Sequence, residues 1–260
     1  MRIEVSELEY SYGRCFKVLE NVSFTLKAGE FMSVLGKNGA GKSTIFRCIL
    51  GMLPEYKGQI MCDGKSIREM TQKELAEHIA YIPQIHRPTF GYTVINMVLM
   101  GLNRLISPFS MPSEEHVQMA RGALRKVGIE NLADRNFAHL SGGEQQLTLI
   151  ARAIAQDSNV LIMDEPTSAL DYGNQYRVMK HIRQLADDGY SVLMSTHNPQ
   201  HAIDFADNVI ALHKGTVEDK GKPNEVIDEK LIKKLYDIDA RIVEVATGKV
   251  ISPCIGDTAL

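Results

Sequence analysis

At 260 residues the chain is long enough for one to two domains of about 150 residues without covalent staples, which excludes a disulfide miniprotein, a collagen and a peptide hormone. Hydrophobic residues at 44%, charged residues at 23% and ordinary Gly and Pro usage (20 and 9) describe a folded globular chain and not a disordered one. Lys and Arg number 29 against 32 Asp and Glu, a net charge of -3 with no basic block, so no nucleic-acid partner is expected.

The first 30 residues alternate apolar and polar (Ile3, Val5, Leu8, then Val22, Phe24, Leu26) as far as the turn Lys27-Ala28-Gly29-Glu30, which predicts short antiparallel strands. Phe31 to Leu35 reads as an apolar strand entering a Gly-rich turn and a helix from Lys42 to Leu50. The apolar run Val94 to Leu102 is about half of the roughly 18 residues a membrane-spanning helix needs. Residues from about 90 to 140 read as a helical insert. There Ser113 can cap a helix with Glu114 and Glu115 in its first turn, and Val117, Ala120, Leu124 and Val127 share one face before Gly128. Val160 to Met163 and Val192 to Ser195 are further strands, each followed by a polar loop and a helical pattern, which implies a parallel α/β sheet. Beyond Gly215 the chain is charged, with Leu231, Ile232 and Leu235 at helical spacing and a β-like segment from Arg241 to Val245.

Cys15, Cys48, Cys62 and Cys254, spaced by 33, 14 and 192 positions, match neither a zinc knuckle nor a redox pair; reduced and mostly buried thiols are expected. Met1 to Glu7 carries acids where a secretory leader would carry a basic stretch and then a long apolar one, so a cytoplasmic location is expected.

Three segments carry chemistry. Gly36-Lys37-Asn38-Gly39-Ala40-Gly41-Lys42-Ser43 fits G-x-x-x-x-G-K-[ST] between a predicted strand and a predicted helix. Glycines let the backbone close round a phosphate with its N–H groups inward, Lys42 reaches the β- and γ-phosphates, and the Ser43 hydroxyl can ligate Mg²⁺. Val160 to Met163 ends in Asp164-Glu165, placing a carboxylate at the carboxyl edge of the sheet, where Asp164 can hold Mg²⁺ and Glu165 can accept a proton from an attacking water. A solvated pair of strand-end acids is the alternative. Leu140-Ser141-Gly142-Gly143-Glu144-Gln145-Gln146 precedes a helical stretch from Leu147 to Ala155, and Ser141 lies 23 residues before Asp164.

The third segment resembles the signature of ABC-type ATPases. Tyr12, the Gly36 to Ser43 loop, Gln84, Ser141 to Glu144, Asp164-Glu165, Ser168-Ala169-Leu170-Asp171 and His197 are similar to the family's seven landmarks in order and spacing, over nearly the whole chain. The resemblance implies an α/β fold: a P-loop NTPase core of ABC type with an antiparallel β subdomain and a helical insert. It implies one domain over 1–260, with core and β subdomain in 1–88 and 157–225, a helical subdomain over about 89–156, and a tail over 226–260.

It further implies ATP and Mg²⁺ as cofactors. Glu165, His197 and Gln84 would be catalytic, and Ser43, Gln84 and Asp164 would serve the metal. Tyr12 (with Tyr10 as runner-up), Gly36, Lys37, Asn38, Gly39, Ala40, Gly41, Lys42, Ser43, Thr44, Ser141, Gly142, Gly143, Glu144 and Asp171 would bind nucleotide. His197 and His201 could instead form a zinc pair, but Pro199 and the lack of nearby acid or thiol ligands disfavour it. The departures are Lys37, Glu144-Gln145 and Asn198-Pro199, and none removes a catalytic group.

In the family two copies pack head to tail, so that the Lys42 loop of one and the Ser141 loop of the other close on one ATP. Phe90 to Val94, Val98 to Gly101, Asp164 to Asp171 and the tail Leu235 to Asp239 are similar to ATPase subunits of prokaryotic importers for iron siderophores, haem, cobalamin and molybdate. That implies two transmembrane permease subunits, a periplasmic or lipid-anchored substrate-binding protein, and a peripheral place on the cytoplasmic face of the membrane. Val94 to Leu102 would lie near a groove for a permease helix or simply pack inside. An ABC exporter subunit is the nearest rival; a non-transport ABC ATPase would need a coiled coil or a second cassette.

Overall fold

The computed structural model describes residues 1–13, 16–84, 91–106, 110–246 and 248–254. In chain order the elements are β1 (Ile3–Tyr12), β2 (Phe16–Leu26), β3 (Phe31–Leu35), α1 (Lys42–Ile49), β4 (Lys57–Cys62), β5 (Lys65–Ser66), α2 (Gln72–His78) and β6 (Ile79–Ile82). Then come α3 (Val94–Leu99), α4 (Glu114–Lys126), α5 (Gly142–Ala155), β7 (Val160–Met163), α6 (Tyr172–Asp187), β8 (Ser191–Thr196) and α7 (Pro199–Phe205). The chain continues through β9 (Asn208–His213), β10 (Thr216–Gly221), α8 (Pro223–Val226), α9 (Glu229–Tyr236), β11 (Ala240–Val245) and β12 (Gly248–Pro253).

The central sheet has the order β10-β9-β3-β8-β7-β6, parallel except for β10 at its edge. Every residue of β3, β7 and β8 is buried, as the continuous apolar runs require of strands covered on both faces. A second, antiparallel sheet runs β2-β1-β4-β5. Its first two strands are 10 and 11 residues long, not short as expected. The apolar spacing marks why they bend: Ile3 and Val5 alternate, Leu8 comes one position late, and Glu7 between them takes φ 50 at a register shift. The extra residue is a bulge that keeps Leu8 inside.

Capping fixes the helical region. Ser113 caps α4 as expected, with His116 closing the box by accepting the Ser113 N–H through Nδ1 at 3.0 Å, and Gly128 at φ 74 ends it. The helix expected from Leu147 begins five residues earlier, at Gly142, because Ser141 and Glu144 form a reciprocal capping box. Its apolar residues, with those of α3 and α4, join one cluster with β6, β7, β8 and α6, so burial holds the helices to one face of the sheet.

The β9–β10 turn is wedged between β2 and the Gly-rich loop. Gly215 donates its N–H to the Ala40 carbonyl (3.1 Å), accepts from the Glu20 N–H (2.9 Å), and leaves a Cβ only 2.2 Å from the Val18 carbonyl oxygen. The tail buries Leu231, Ile232 and Leu235 against Leu35, Ala202, Val209 and Ala211.

Burial pushes the thiols of Cys48 and Cys62 up to about 12 and about 11, so both are inert thiols. Among the described residues these two thiols are free and buried, in line with the expectation of mostly buried thiols, while Cys254 stands exposed beyond β12; Cys15 lies outside the described residues. No helix among the described residues is long and apolar enough to cross a membrane.

Candidate nucleotide site

Three strand ends meet where β3, β7 and β8 run out. β3 leads through Gly36, whose N–H donates to the Thr196 carbonyl at 3.2 Å, into the loop that opens α1. Only glycine fits at two of its corners. A Cβ on Gly36 would lie 2.5 Å from the Leu212 carbonyl oxygen, and one on Gly41, at φ 107, would lie 2.8 Å from a Leu19 methyl. The loop therefore lies against its own scaffold and turns its other side to a cleft of about 440 Å³. That cleft is lined by Tyr12, Phe16, Val18, Asn38, Gly39, Gly41, Lys42, Ser43, Thr44, Gln84, Asp164 and Glu165. Gly36, Lys37 and Ala40 complete the loop without lining the cleft.

Lys42 is buried, and its ammonium donates to the carbonyls of Gly36 (2.8 Å) and Lys37 (3.0 Å). Its third partner is Glu165 Oε1 at 3.1 Å, an ion pair whose side chains are 4% and 12% exposed. The other oxygen of Glu165 meets His197 Nδ1 at 3.1 Å. Glu165 sits at φ 44, a left-handed conformation unusual for a residue with a side chain, and its N–H donates to Ser195 Oγ at 2.9 Å. The same hydroxyl donates to Asp164 Oδ1 at 2.6 Å. Ser195 thus ties both acids to β8, and the sequence reading missed it because only strand order brings residues 164 and 195 together. Gln84 donates its amide N–H to Ser168 Oγ at 2.9 Å, and Ser168 in turn donates to the Glu165 carbonyl.

The aromatic wall is wider than expected. Tyr12 meets Tyr10 edge to face at 5.0 Å, and its cross-strand partner Phe16, 69% exposed, stands beside it on the cleft. Two exposed rings facing a polar pocket fit a flat ligand face. Phe16 carried a signal: a bulky apolar residue at the start of a strand with nothing in the sequence to cover it.

Ser141, Gly142, Gly143, Glu144 and Asp171 do not line this cleft. They form a second polar corner. The Glu144 carboxylate closes the Ser141 cap and is held below its usual range by those hydrogen bonds; Asp171 caps α6 and is lowered by the Asn174 N–H. Gly143 lies so close to Asn174 that a Cβ would sit 2.7 Å from Oδ1, which packs the start of α5 against the start of α6.

A hard cation fits the donor set beside Lys42: a carboxylate of Asp164, the hydroxyl of Ser43, and the carbonyl oxygen of Gln84, whose amide nitrogen is taken by Ser168.

Residues 19–168 match the family described as ABC transporter. The chain belongs to the ABC transporter ATP-binding family. An ABC transporter ATP-binding protein of Haemophilus influenzae, described as uncharacterized, is 40% identical over 237 residues, 91% of this chain and 89% of that one. The iron(3+)-hydroxamate import ATP-binding protein of Bacillus subtilis is 33% identical over 227 residues, covering 87% and 84%. Among solved structures, a metal-chelate type ABC transporter in an inward-facing conformation superposes with a TM-score of 0.85 at 30% identity over 99% of both chains. The fold is the P-loop ATPase cassette, and ABC ATP-binding proteins are ATPases; this chain binds and hydrolyses ATP.

Proposed function

We propose that the chain is the ATPase subunit of a prokaryotic importer for a metal chelate such as an iron siderophore, haem or cobalamin, or for molybdate. The observation that carries the site reading is the Lys42–Glu165 pair, with Asp164, Gln84 and the Gly-rich loop gathered round one cleft. In this reading the N–H groups of Gly39 to Thr44 cradle the phosphates, Lys42 moves from Glu165 to the β- and γ-phosphates, and Tyr12 with Phe16 stacks on the adenine. Ser43, Asp164 and Gln84 hold Mg²⁺, which when bound offsets charge on the phosphate oxygens. Glu165, freed of Lys42, accepts the proton of the attacking water, and His197 orients that carboxylate and contacts the γ-phosphate.

The whole chain then works as one domain, with core and β subdomain in 1–88 and 157–225, helices over 89–156 and the tail from 226. Ser141 to Glu144 and Asp171 lie off the chain's own cleft, which supports closure on the nucleotide of a second, head-to-tail copy. A groove of about 550 Å³ lined by Asn96, Leu99, Met100 and Ile106 suits a short permease helix. Phe90, part of the motif behind the importer reading, lies outside the described residues. The machine needs two permease subunits and a substrate-binding protein, and sits peripherally on the cytoplasmic face of the membrane.

Two measurements test this. Tyr12→Ala and Phe16→Ala should each raise the KM for ATP with little change in kcat, by the roughly 1–3 kcal/mol that one base–aromatic stack contributes, or about 5- to 100-fold. Unchanged KM in both would remove the aromatic wall from nucleotide binding. Reconstitution in liposomes with a partner permease of the metal-chelate importer class and its binding protein should give ATP-driven chelate movement toward the ATPase side, dependent on the binding protein. Movement away from that side would establish an exporter.

A further inference from the structure

The geometry points to the carboxyl-terminal hairpin β11–β12 as a working part of the nucleotide site, with Gln200 as the positioning residue that fixes His197 against Glu165. His197 is half exposed, and its ring reaches Glu165 from the short segment between β8 and α7. β8 ends at Thr196 just before it. Asn198 then donates its N–H to Thr196 Oγ1 (3.0 Å) and accepts the Gln200 N–H on Oδ1 (3.0 Å), opening α7. That helix has seven residues, with Ala202 fully buried and Ile203 and Phe205 partly buried against neighbouring clusters, and a helix so short is held by such tertiary contacts and not by its own turns.

The Gln200 side chain adds a polar tie at the end of the helix nearest His197. Its amide N–H groups donate to the Lys249 carbonyl (2.9 Å) and to Asp204 Oδ1 (2.8 Å), and its Oε1 accepts the Ile251 N–H at 3.1 Å. It therefore pairs with β12 as a third strand would, through one donor and one acceptor two residues apart. The hairpin is a firm anchor in turn. Lys249 Nζ donates to the Asn224 carbonyl at 2.7 Å, Ile242 and Ile251 pack on the cluster that contains Leu35, and the Cys254 N–H closes on the Asp239 carbonyl at 2.8 Å. Leu35 is the last residue before Gly36. One apolar cluster therefore sits under the Gly-rich loop, and the hairpin packed on it also grips the His197 segment.

In α9 the Tyr236 hydroxyl is buried with no hydrogen-bond partner among the described residues; burial, and after it the charge of Glu165, pushes its phenol up and keeps it neutral. The simpler role for the tail is to cover an apolar cluster, which would contribute stability and nothing to the rate. The two roles separate in kinetics.

The test is Gln200→Met in the full-length chain, which keeps the stem and removes both clamp bonds. This inference rests on His197 acting at the γ-phosphate, so His197→Ala is measured beside it. Gln200→Met is expected to lower kcat about tenfold, as a displaced catalytic group does, with the KM for ATP within twofold. Loss of the Gln200 side-chain hydrogen bonds, two part-buried and one exposed, should move the melting point by only a few degrees. Hydrogen exchange should quicken in residues 197–203 and 249–251 and nowhere else. A normal kcat in Gln200→Met alongside an impaired His197→Ala overturns the clamp and leaves the site reading standing. A kcat loss matched by a large melting shift and by faster exchange throughout the chain also overturns it, in favour of the covering role. Full turnover by His197→Ala overturns the site reading itself.

Discussion

Glu165→Gln should reduce ATP turnover by about 10²- to 10⁴-fold, the share a positioned general base contributes, while nucleotide binding tightens. The second half follows from the Lys42–Glu165 pair. In the free protein the lysine proposed to meet the phosphates is already held by a carboxylate at 3.1 Å, both side chains largely buried at the wall of the open cleft. Binding exchanges one anion for another, so the carboxylate competes with the ligand. A glutamine of the same shape competes weakly, because it offers Lys42 a dipole in place of a charge. Equilibrium binding of ATP and steady-state hydrolysis on the same preparation check both halves, and light scattering with ATP checks for an accumulated pair of chains. Turnover near the wild-type rate would take Glu165 out of its role. Weaker ATP binding would mean that the pair assists the ligand and does not oppose it.

Lys42→Ala should weaken ATP binding by roughly 10- to 100-fold, from loss of a charge-assisted contact of about 1.5–3 kcal/mol, and abolish measurable hydrolysis. The same change strips Glu165 of its cation and leaves a nearly buried carboxylate that still meets the His197 ring. Removing one member of a buried pair costs about 3–5 kcal/mol where no solvent can enter, and less here because the cleft is open. The melting point of the nucleotide-free variant should therefore fall. Lys42→Ala combined with Glu165→Gln should recover much of that stability without recovering any turnover. Titration calorimetry and thermal melts on the two single variants and the double variant measure this cycle. Unchanged ATP affinity in Lys42→Ala would contradict the phosphate cradle.

What the sequence made legible is what the chain builds locally. The strand–loop–helix at Phe31 to Ile49, the acids ending β7 and the Ser113 cap each lie within one short stretch, and each stands as read. Contacts across the sheet were not legible. Ser195 bridging Asp164 to the Glu165 N–H, Gln84 on Ser168 and Lys42 on Glu165 join residues 31, 84 and 123 positions apart, and only the order β3-β8-β7-β6 brings them together. The early start of α5 was hidden for a different reason. Gly142 and Gly143 have poor helix propensity, and the Ser141–Glu144 box overrides it. Leu8 shows the reverse case, where a break in alternation was visible and marks the bulge at Glu7.

The wedge at Gly215 has a consequence for which molecules the cleft accepts. Through Glu20 it fastens the strand that carries Phe16 and Val18, and through Ala40 it fastens the loop beneath Lys42. The wall that carries Phe16 and the Gly-rich loop are thereby hydrogen-bonded to one turn, which restrains the gap between them. Such a restraint acts as a ruler. If Tyr12 and Phe16 stack on the base as proposed, a restrained gap favours one span from flat heterocycle to terminal anion, so purine triphosphates of equal length should compete with one another better than a mono- or diphosphate competes with any of them.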